Sequence, residues 1–157
     1  MILEVLAYAQ DEAASLGTTG QVVVIHHPDG GVSVDDDGRG TDTRTDDTGR
    51  VIRKPVMATA DVRFTDPDFA PVLPDGLPRR GMSSVAAVSE VLVHTNHRVD
   101  GSWSQTYRYG IPDHDLHAVS PRAHSGTIVT FHSDITGPSG LTPQDLRAFP
   151  NLLIRVH

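Results

Sequence analysis

The stretch QVVVIHHPDGGVSVDDDGRG, residues 21–40, contains two strand patterns, a turn and an acidic end. Residues 21–27 and 31–37 are rich in valine and are separated by PDG at 28–30, which is the pattern of a β-hairpin. The second strand runs into three consecutive aspartates and a glycine-arginine-glycine turn, at residues 35–40. Such an end is either a solvated polar loop or part of a ligand-binding site, and the neighbouring segments bear on which of the two it is.

The segment before the hairpin has the periodicity of an amphipathic helix. Its apolar side chains recur at spacings of three and four residues, at Ile2, Leu6, Ala9, Ala13 and Leu16. Glycines at 17 and 20 predict the end of this helix. The opening is short, carries a glutamate and has no basic region before it. We therefore expect neither a signal peptide nor a membrane span, and a cytoplasmic location.

Four further segments follow the hairpin. Residues 41–50 have the composition of a loop, and residues 55–62 favour a short helix that begins at Pro55. Residues 65–80 contain four prolines, which exclude a regular element and predict a long loop. Apolar spacing then predicts a helix over residues 81–92.

Strand patterns dominate the remainder of the chain. Residues 91–97 and 102–109 flank a Val-Asp-Gly turn and predict a second hairpin, and residues 126–133 alternate like a strand. A short helix is predicted over residues 142–149, with threonine as its N-cap and proline in its first turn. Residues 152–156 predict a closing strand.

The order of these elements predicts a single α+β domain over residues 1–157. Adjacent strands joined by tight turns favour a mixed, mostly antiparallel sheet, and the helices are too few to cover both of its faces. We therefore expect a two-layer α/β sandwich with the helices on one face of the sheet.

Composition excludes several classes of function. The chain has a formal net charge of −7, and no run of lysine or arginine exceeds two residues, so direct nucleic-acid binding is not expected. It contains no cysteine, which removes disulfides, thiolate metal sites and cysteine nucleophiles. Its nine histidines have no spacing typical of a metal site, so we expect them at the surface and predict no metal centre.

Four short motifs occur in order along the chain: EVLAYAQDEA at 4–13, DDGRG at 36–40, DGLPRRGMSSVAAVSE at 75–90 and SGT at 125–127. Their order and the elements between them resemble the ATP-binding domain of DNA gyrase B, within the GHKL or Bergerat-fold ATPases. The resemblance covers nearly the whole chain. It implies a domain with the Bergerat fold that binds an adenine nucleotide. The segments that match do not include the family's N-terminal arm or its transducer domain, so we expect no topoisomerase activity from this domain by itself.

The resemblance implies an adenine pocket around the DDGRG turn. Asp36 corresponds to the carboxylate that accepts a hydrogen bond from the exocyclic amine of adenine, and Thr127 supports the same edge through its hydroxyl group and a water molecule. Gly38 and Gly40 either bring the backbone close to the ligand or adopt a positive φ. The residues alone leave a second interpretation open, in which the turn is a solvated acidic loop.

The resemblance also implies roles for the polar side of the first helix. Glu4 occupies the position of the general base that orients water toward the γ-phosphate, although a surface glutamate is the alternative. Tyr8 stands in the nucleotide pocket where the family has the asparagine that ligates Mg²⁺. A phenol is a poor ligand for this ion, so the resemblance leaves Mg²⁺ binding open. Arg39 and Glu12 correspond to an ion pair that ties the helix to the turn.

The phosphate-binding half departs from the family pattern. Residues 65–80 take the place of a shortened ATP-lid-like loop, in which Arg79 and Arg80 stand where glycines are expected. These arginines would either bind phosphate directly or be ordinary loop charges. Gly81 remains from the glycine-rich pattern, and Arg98 aligns with an arginine of the family's nucleotide pocket.

Three functions are compatible with these residues. The first is adenine-nucleotide binding, of ATP or ADP, with weak or absent hydrolysis. The second is a slow Mg²⁺-dependent ATPase that uses Glu4 as its base. The third is a non-enzymatic module that binds a protein partner or an aminocoumarin-type inhibitor through the same pocket.

Overall fold

The structure is a computed structural model that describes residues 1–42, 44–45, 47–48, 51–52, 57–66, 68–99, 101–113, 115–134 and 140–157. Its helices are α1 (Ile2–Leu16), α2 (Met82–Ala87) and α3 (Pro143–Arg147), with a 3-10 turn at Val62–Phe64. Its strands are β1 (Gly20–His26), β2 (Val32–Asp36), β3 (Arg44–Thr45), β4 (Val51–Ile52), β5 (Val91–His97), β6 (Trp103–Arg108), β7 (Ile111–Pro112), β8 (His117–Ala118), β9 (Gly126–His132) and β10 (Leu152–Val156).

An eight-stranded sheet forms the body of the described structure. Its strands follow the order β10-β1-β2-β9-β5-β6-β7, and β8 also pairs with β6. β1 and β10 are parallel, whereas the other pairs in this sheet are antiparallel. β3 and β4 form a separate two-stranded ladder, so part of the segment predicted as a loop at residues 41–50 is paired.

The predicted fold, a two-layer α/β sandwich of the Bergerat type with helices on one face, is wrong, because the sheet dominates the fold. α1 has 15 residues, whereas α2 has six and α3 has five, so the described helices are too short in total to form a second layer. The sequence patterns overstated the helical content. Short apolar spacings are compatible with helices and with strands, and pairing in the sheet takes precedence over them.

The helices predicted in the middle of the chain differ from the structure in their bounds. α2 ends at Ala87 and does not continue to residue 92, because Val91 begins β5, which pairs on one side with β6 and on the other with β9. The first two residues of the helix predicted at 55–62 lie outside the described residues. The described remainder forms turns that lead into the 3-10 turn, which Asp61 caps.

α1 ends where the sequence predicts and packs on the sheet. Gly17 caps its C-terminus with a φ of 64°, a left-handed conformation that glycine adopts without strain. The buried side chains of Val5 and Leu6 share a core with Val22 and Val34 of the first hairpin. Within the described ranges, no helix combines the length and the apolar character that crossing a membrane requires.

The register of the central strands places the candidate site at one end of the sheet. Val34 of β2 pairs with Val129 of β9, which in turn pairs with His94 of β5. Side chains two residues apart on a strand share a face, so Asp36 and Thr127 lie one row further along the same face. This row is at the end of β2 and the start of β9, next to the turn that contains the glycines.

Candidate ligand-binding site

Asp36, the last residue of β2, is held by hydrogen bonds from the turn and from β9. Its Oδ1 accepts from the backbone N–H of Gly38 at 2.9 Å and from the backbone N–H of Thr127 at 3.4 Å. Its Oδ2 accepts from the Thr127 hydroxyl group. Asp36 and Thr127 are 91 positions apart in the sequence, and the antiparallel pairing of β2 with β9 brings them together. The carboxylate therefore has a defined orientation beside the turn.

Burial raises the pKa of Asp36 above its ordinary value, while hydrogen bonds from Thr127 and Gly38 oppose this rise without cancelling it. Asp35 adds a small further rise through its negative charge. The Asp35 side chain forms a two-point ion pair with Arg122, at 2.8 and 2.9 Å. A desolvated carboxylate such as that of Asp36 is stabilised by any additional hydrogen-bond donor that a ligand supplies.

A cavity of about 160 Å³ opens beside this carboxylate. Its apolar walls are formed by Val5, Ala9, Met57, Met82 and Val129. Its polar side chains include Asp36, Thr127, His94 and Tyr8, and the turn contributes Gly38, Arg39, Gly40 and Thr41. A second cavity of about 270 Å³ shares Ala9, Glu12, Asp36, Gly38 and Arg39 with the first. Each cavity alone is smaller than the range of about 300–1,000 Å³ that is typical of small-molecule sites, and the shared residues place the two side by side.

Gly38 and Gly40 allow the turn to fold closely against the sheet. Gly40 has a φ of 73°, and a Cβ there would lie 2.7 Å from Asn96 Oδ1 and 2.9 Å from a backbone carbonyl oxygen of β5. A Cβ on Gly38 would lie 2.8 Å from Asp36 Oδ1. The Asn96 side chain also accepts from the N–H of Thr41 at 2.6 Å and donates to its carbonyl oxygen at 3.1 Å. Both glycines therefore serve close packing, and Gly40 also supplies the positive φ.

Gly40→Ala is expected to lower the free energy of unfolding more than Gly30→Ala does. Gly30, in the first hairpin turn, has a φ of 86°, but a Cβ there would meet no heavy atom within 4 Å. Both changes strain a left-handed backbone by about 1–2 kcal/mol, and Gly40→Ala adds the close contact with Asn96. Urea denaturation of the two variants measures the difference. Equal losses would contradict the close packing of the turn.

Arg39 and Glu12 form an ion pair between the turn and α1. Arg39 Nε and Nη2 lie 2.6 and 3.0 Å from the two carboxylate oxygens of Glu12, and the Arg39 hydrogen bond lowers the pKa of Glu12. The Arg39 side chain is 61% exposed, and exposed ion pairs contribute about 0–1 kcal/mol to stability. The main consequence of this ion pair is that it fixes the positions of the two side chains, which both line both cavities.

Glu4 is buried and bonded to the proline-rich loop. Its Oε1 accepts from Arg79 Nε at 3.1 Å, and its Oε2 accepts from the backbone N–H of Arg80 at 3.1 Å. Arg79 Nη1 also donates to Asp11 Oδ2 at 2.7 Å. Glu4 and Arg79 are 4% and 5% exposed, and neither lines either of the two cavities. In this conformation Glu4 is not placed to orient an attacking water molecule.

Tyr8 lines the first cavity, but its hydroxyl group is engaged by the segment before the loop. The hydroxyl group donates to Asp61 Oδ2 at 2.5 Å, and Arg63 Nη2 donates to the same oxygen at 2.7 Å. The guanidinium carbons of Arg63 and Arg79 lie 5.3 and 4.9 Å from the centre of the Tyr8 ring. Burial, followed by the Asp61 hydrogen bond, raises the pKa of Tyr8 to about 12. The Arg63 hydrogen bond lowers the pKa of Asp61.

These residues do not fit Mg²⁺, an ion that takes carboxylate, carbonyl and water oxygens in octahedral geometry. The Tyr8 phenol is neutral and donates its proton, while Glu4, Asp11 and Asp61 are each paired with arginine. Two guanidinium groups next to Tyr8 repel any further cation. Among the residues that the structure describes, no group of three histidine, aspartate or glutamate side chains is placed to hold a metal ion.

Gly81 and Arg98 lie at the margins of the site. Gly81 precedes α2 with a φ of 85°, and a Cβ there would lie 3.2 Å from the Tyr8 hydroxyl oxygen. Arg98 follows β5, and its Nη1 lies 3.4 Å from Asp42 Oδ1. Neither residue lines either cavity, so the structure does not bring them to the Asp36 carboxylate.

Several buried residues, some lining the first cavity and one outside it, were not predicted from the sequence. The expectation that the histidines lie at the surface is wrong for His94 and His97, which are 4% and 6% exposed. The alternation of β5, with the buried Leu92 two residues earlier, is the signal that could have placed His94 on the core face. Met57 and Met82 come from segments predicted as helices. Their contacts depend on how the loops return to α1, which no local pattern encodes.

No family model matches this chain. The resemblance to the gyrase B ATPases accordingly rests on the four short motifs and on the positions of their residues. Among these residues, Asp36 and Thr127 lie together at the first cavity, with Tyr8 in its lining. Glu4 and Arg98 lie outside the lining of both cavities.

Proposed function

We propose that this protein binds an adenine nucleotide, ATP or ADP, in the cavity beside Asp36, and hydrolyses it weakly or not at all. The observation that carries the proposal is the Asp36 carboxylate, oriented by Thr127 and Gly38 at the edge of a cavity with apolar walls. An ionised carboxylate only accepts hydrogen bonds, so it selects a ligand that presents an N–H group. The exocyclic amine of adenine is such a donor, and the flat faces of the base suit apolar walls.

The three consecutive aspartates have different surroundings, which argues against a uniformly solvated acidic loop. Asp35 is paired with Arg122, and Asp37 is exposed and accepts a hydrogen bond from the backbone N–H of Gln21 at 2.7 Å. Asp36 alone among the three lines both cavities. Burial raises the pKa of its carboxyl group. A carboxylate that is kept in a desolvated position beside a cavity is typical of a binding site.

The position of Glu4 supports weak or absent hydrolysis. A general base must lie within hydrogen-bond reach of the water molecule that it activates. Glu4 is instead bonded to Arg79 and Arg80, away from both cavities. An ATPase reaction that used Glu4 would require this buried ion pair to open first.

Titration calorimetry with adenosine, inosine and ATP tests recognition of the base. Inosine has a carbonyl oxygen in place of the amine, so it brings an acceptor against the Asp36 carboxylate. We expect adenosine to bind at least about tenfold more tightly than inosine, which corresponds to one charge-assisted hydrogen bond. Equal binding of the two nucleosides would contradict recognition by Asp36. Absence of binding by both adenosine and ATP would contradict the proposal as a whole and favour a non-enzymatic interaction module.

Addition of Mg²⁺ is expected to change the affinity for ATP by less than about threefold, or under about 1 kcal/mol. The physical reason is that the Tyr8 hydroxyl group is a donor and that two guanidinium groups, which repel a cation, lie beside its ring. Titration of ATP with and without Mg²⁺ measures this effect. A phosphate-release assay on the wild type and on Glu4→Gln should give the same negligible rate. Robust Mg²⁺-dependent release in the wild type that is lost in Glu4→Gln would favour an active ATPase.

A further inference from the structure

His94 lies on the floor of the 160 Å³ cavity, between β9 and β6 in the sheet. It is 4% exposed, and its ring meets the ring of Trp103 edge to face, with 5.0 Å between the centroids. The residue of β9 that pairs with His94 is Val129, and Thr127 lies two residues before Val129 on the same face. His94 and Thr127 are therefore diagonal neighbours, with about 7–8 Å between them in a sheet of ordinary geometry.

The His94 imidazole has hydrogen-bonding capacity that none of the described residues uses. In the part of the chain that the structure describes, its ring contact with Trp103 is its one polar or aromatic interaction. Burial is the sole cause that lowers its pKa, to about 4, so the ring is neutral at physiological pH. A neutral imidazole has one N–H donor and one acceptor nitrogen, which can pair with a ligand in the cavity that His94 lines. By contrast Gln105, the neighbour of His94 on β6, accepts a hydrogen bond from Tyr107.

We propose that His94 hydrogen-bonds the bound ligand and is a specificity-determining residue of this site. This inference rests on the proposed function and narrows its ligand class. Asp36, Thr127, Val129 and His94 all line the cavity. Thr127 and Val129 are on β9, Asp36 is on the neighbouring strand β2, and His94 is the residue of β5 that pairs with Val129. A bicyclic heteroaromatic ring can present an amine to Asp36 and place a second polar atom over Val129 near His94. The single ring of a pyrimidine covers less of this floor.

Calorimetric titration with adenosine and cytidine tests the inference on the wild type, His94→Phe and His94→Gln. Phenylalanine keeps the aromatic contact with Trp103 but removes both ring nitrogens, whereas glutamine keeps a donor and an acceptor. We expect adenosine to bind His94→Phe about three- to tenfold more weakly than the wild type, the range for one neutral hydrogen bond. We expect His94→Gln to retain more of the affinity, and the preference for adenosine over cytidine to shrink in His94→Phe.

His97→Phe is the matched control, because His97 is a buried histidine of the same strand that lines neither cavity. Its affinity for adenosine should equal that of the wild type. If His94→Phe does not fold, the imidazole NMR signals of the wild type decide, since those of His94 should shift on addition of adenosine. Unchanged affinity in folded His94→Phe, or unshifted His94 signals in a protein that binds adenosine, would overturn the role of His94 and leave that of Asp36 intact. Failure of the wild type to bind either adenosine or ATP would overturn both roles, and if ATP alone binds, the same variants are compared with ATP.

Discussion

Arg79→Ala is expected to lower the free energy of unfolding by about 3–5 kcal/mol, because it leaves a buried charge without its counterion. Arg79 is 5% exposed and donates from Nε to Glu4 at 3.1 Å. Without the guanidinium group, the buried Glu4 carboxylate keeps only the N–H of Arg80 as a hydrogen-bond partner among the described residues. The change also removes packing against Tyr8 and Phe64, whose ring centres lie 4.9 and 4.4 Å from the Arg79 guanidinium carbon.

Arg80→Ala provides the matched control for this prediction. The Arg80 side chain is exposed, and its contact with Glu4 is made by the backbone N–H, which alanine retains. Urea denaturation should therefore show a change within about 0.5 kcal/mol for Arg80→Ala. The double variant Glu4→Leu with Arg79→Met should be more stable than Arg79→Ala, because it removes both buried charges together. Similar losses for Arg79→Ala and Arg80→Ala would contradict the buried ion pair.

Asp36→Asn is expected to weaken adenosine binding by about tenfold or more, since a hydrogen bond to a charged group is worth about 1.5–3 kcal/mol. The asparagine amide has one acceptor oxygen in place of two, and the Thr127 hydroxyl group competes with the ligand for it. Titration calorimetry measures the loss. Asp35→Asn removes the same charge from the neighbouring residue, whose side chain faces Arg122, and should leave the affinity unchanged. Equal affinities in the two variants would give Asp36 a purely structural role.

The same Asp36→Asn change is not expected to lower the stability of the unliganded protein. The pKa of Asp36 in the folded protein lies above its ordinary value of 3.8, so the carboxyl group binds its proton more tightly when folded. Its ionisation, as the pH rises through these two values, therefore opposes folding. Asparagine has no such ionisation. Urea denaturation at neutral pH should show no loss of stability in Asp36→Asn, the variant that loses affinity in the calorimetric titration. A strongly destabilised Asp36→Asn would contradict the raised pKa of Asp36.

Local sequence patterns determined several elements of the fold, including the hairpin and the helix that border the site. Valine-rich runs on either side of PDG at 28–30 formed β1 and β2, and the apolar spacing of the first segment formed α1, which Gly17 ends. Thr142 and Asp145 form the capping box of α3. Each of these features depends on groups within a few positions along the chain, so turn and capping chemistry is sufficient to predict it.

The fold class was not predictable from the same patterns. Apolar spacing over residues 81–92 suits a helix, but the helix ends earlier. Val91 is the first residue of β5, which has hydrogen-bonded strands on both sides. Whether a short apolar run becomes helix or strand depends on the partners that the rest of the chain offers. Residues that the sequence predicts as helix therefore joined the sheet, and the predicted helical layer did not form.

The resemblance to the gyrase B ATPases assigned Asp36 and Thr127 to one site. Only the tertiary structure showed which groups contact Glu4, Tyr8 and His94. Glu4 meets Arg79 from 75 positions away, and Tyr8 meets Asp61 from 53 positions away. Both contacts depend on the path of the segment before α2, where prolines and turns leave no periodicity to interpret. Hydrogen bonds and ion pairs act over a few ångströms, so a sequence specifies the groups that can form them, and the folded path of the chain decides which of them meet.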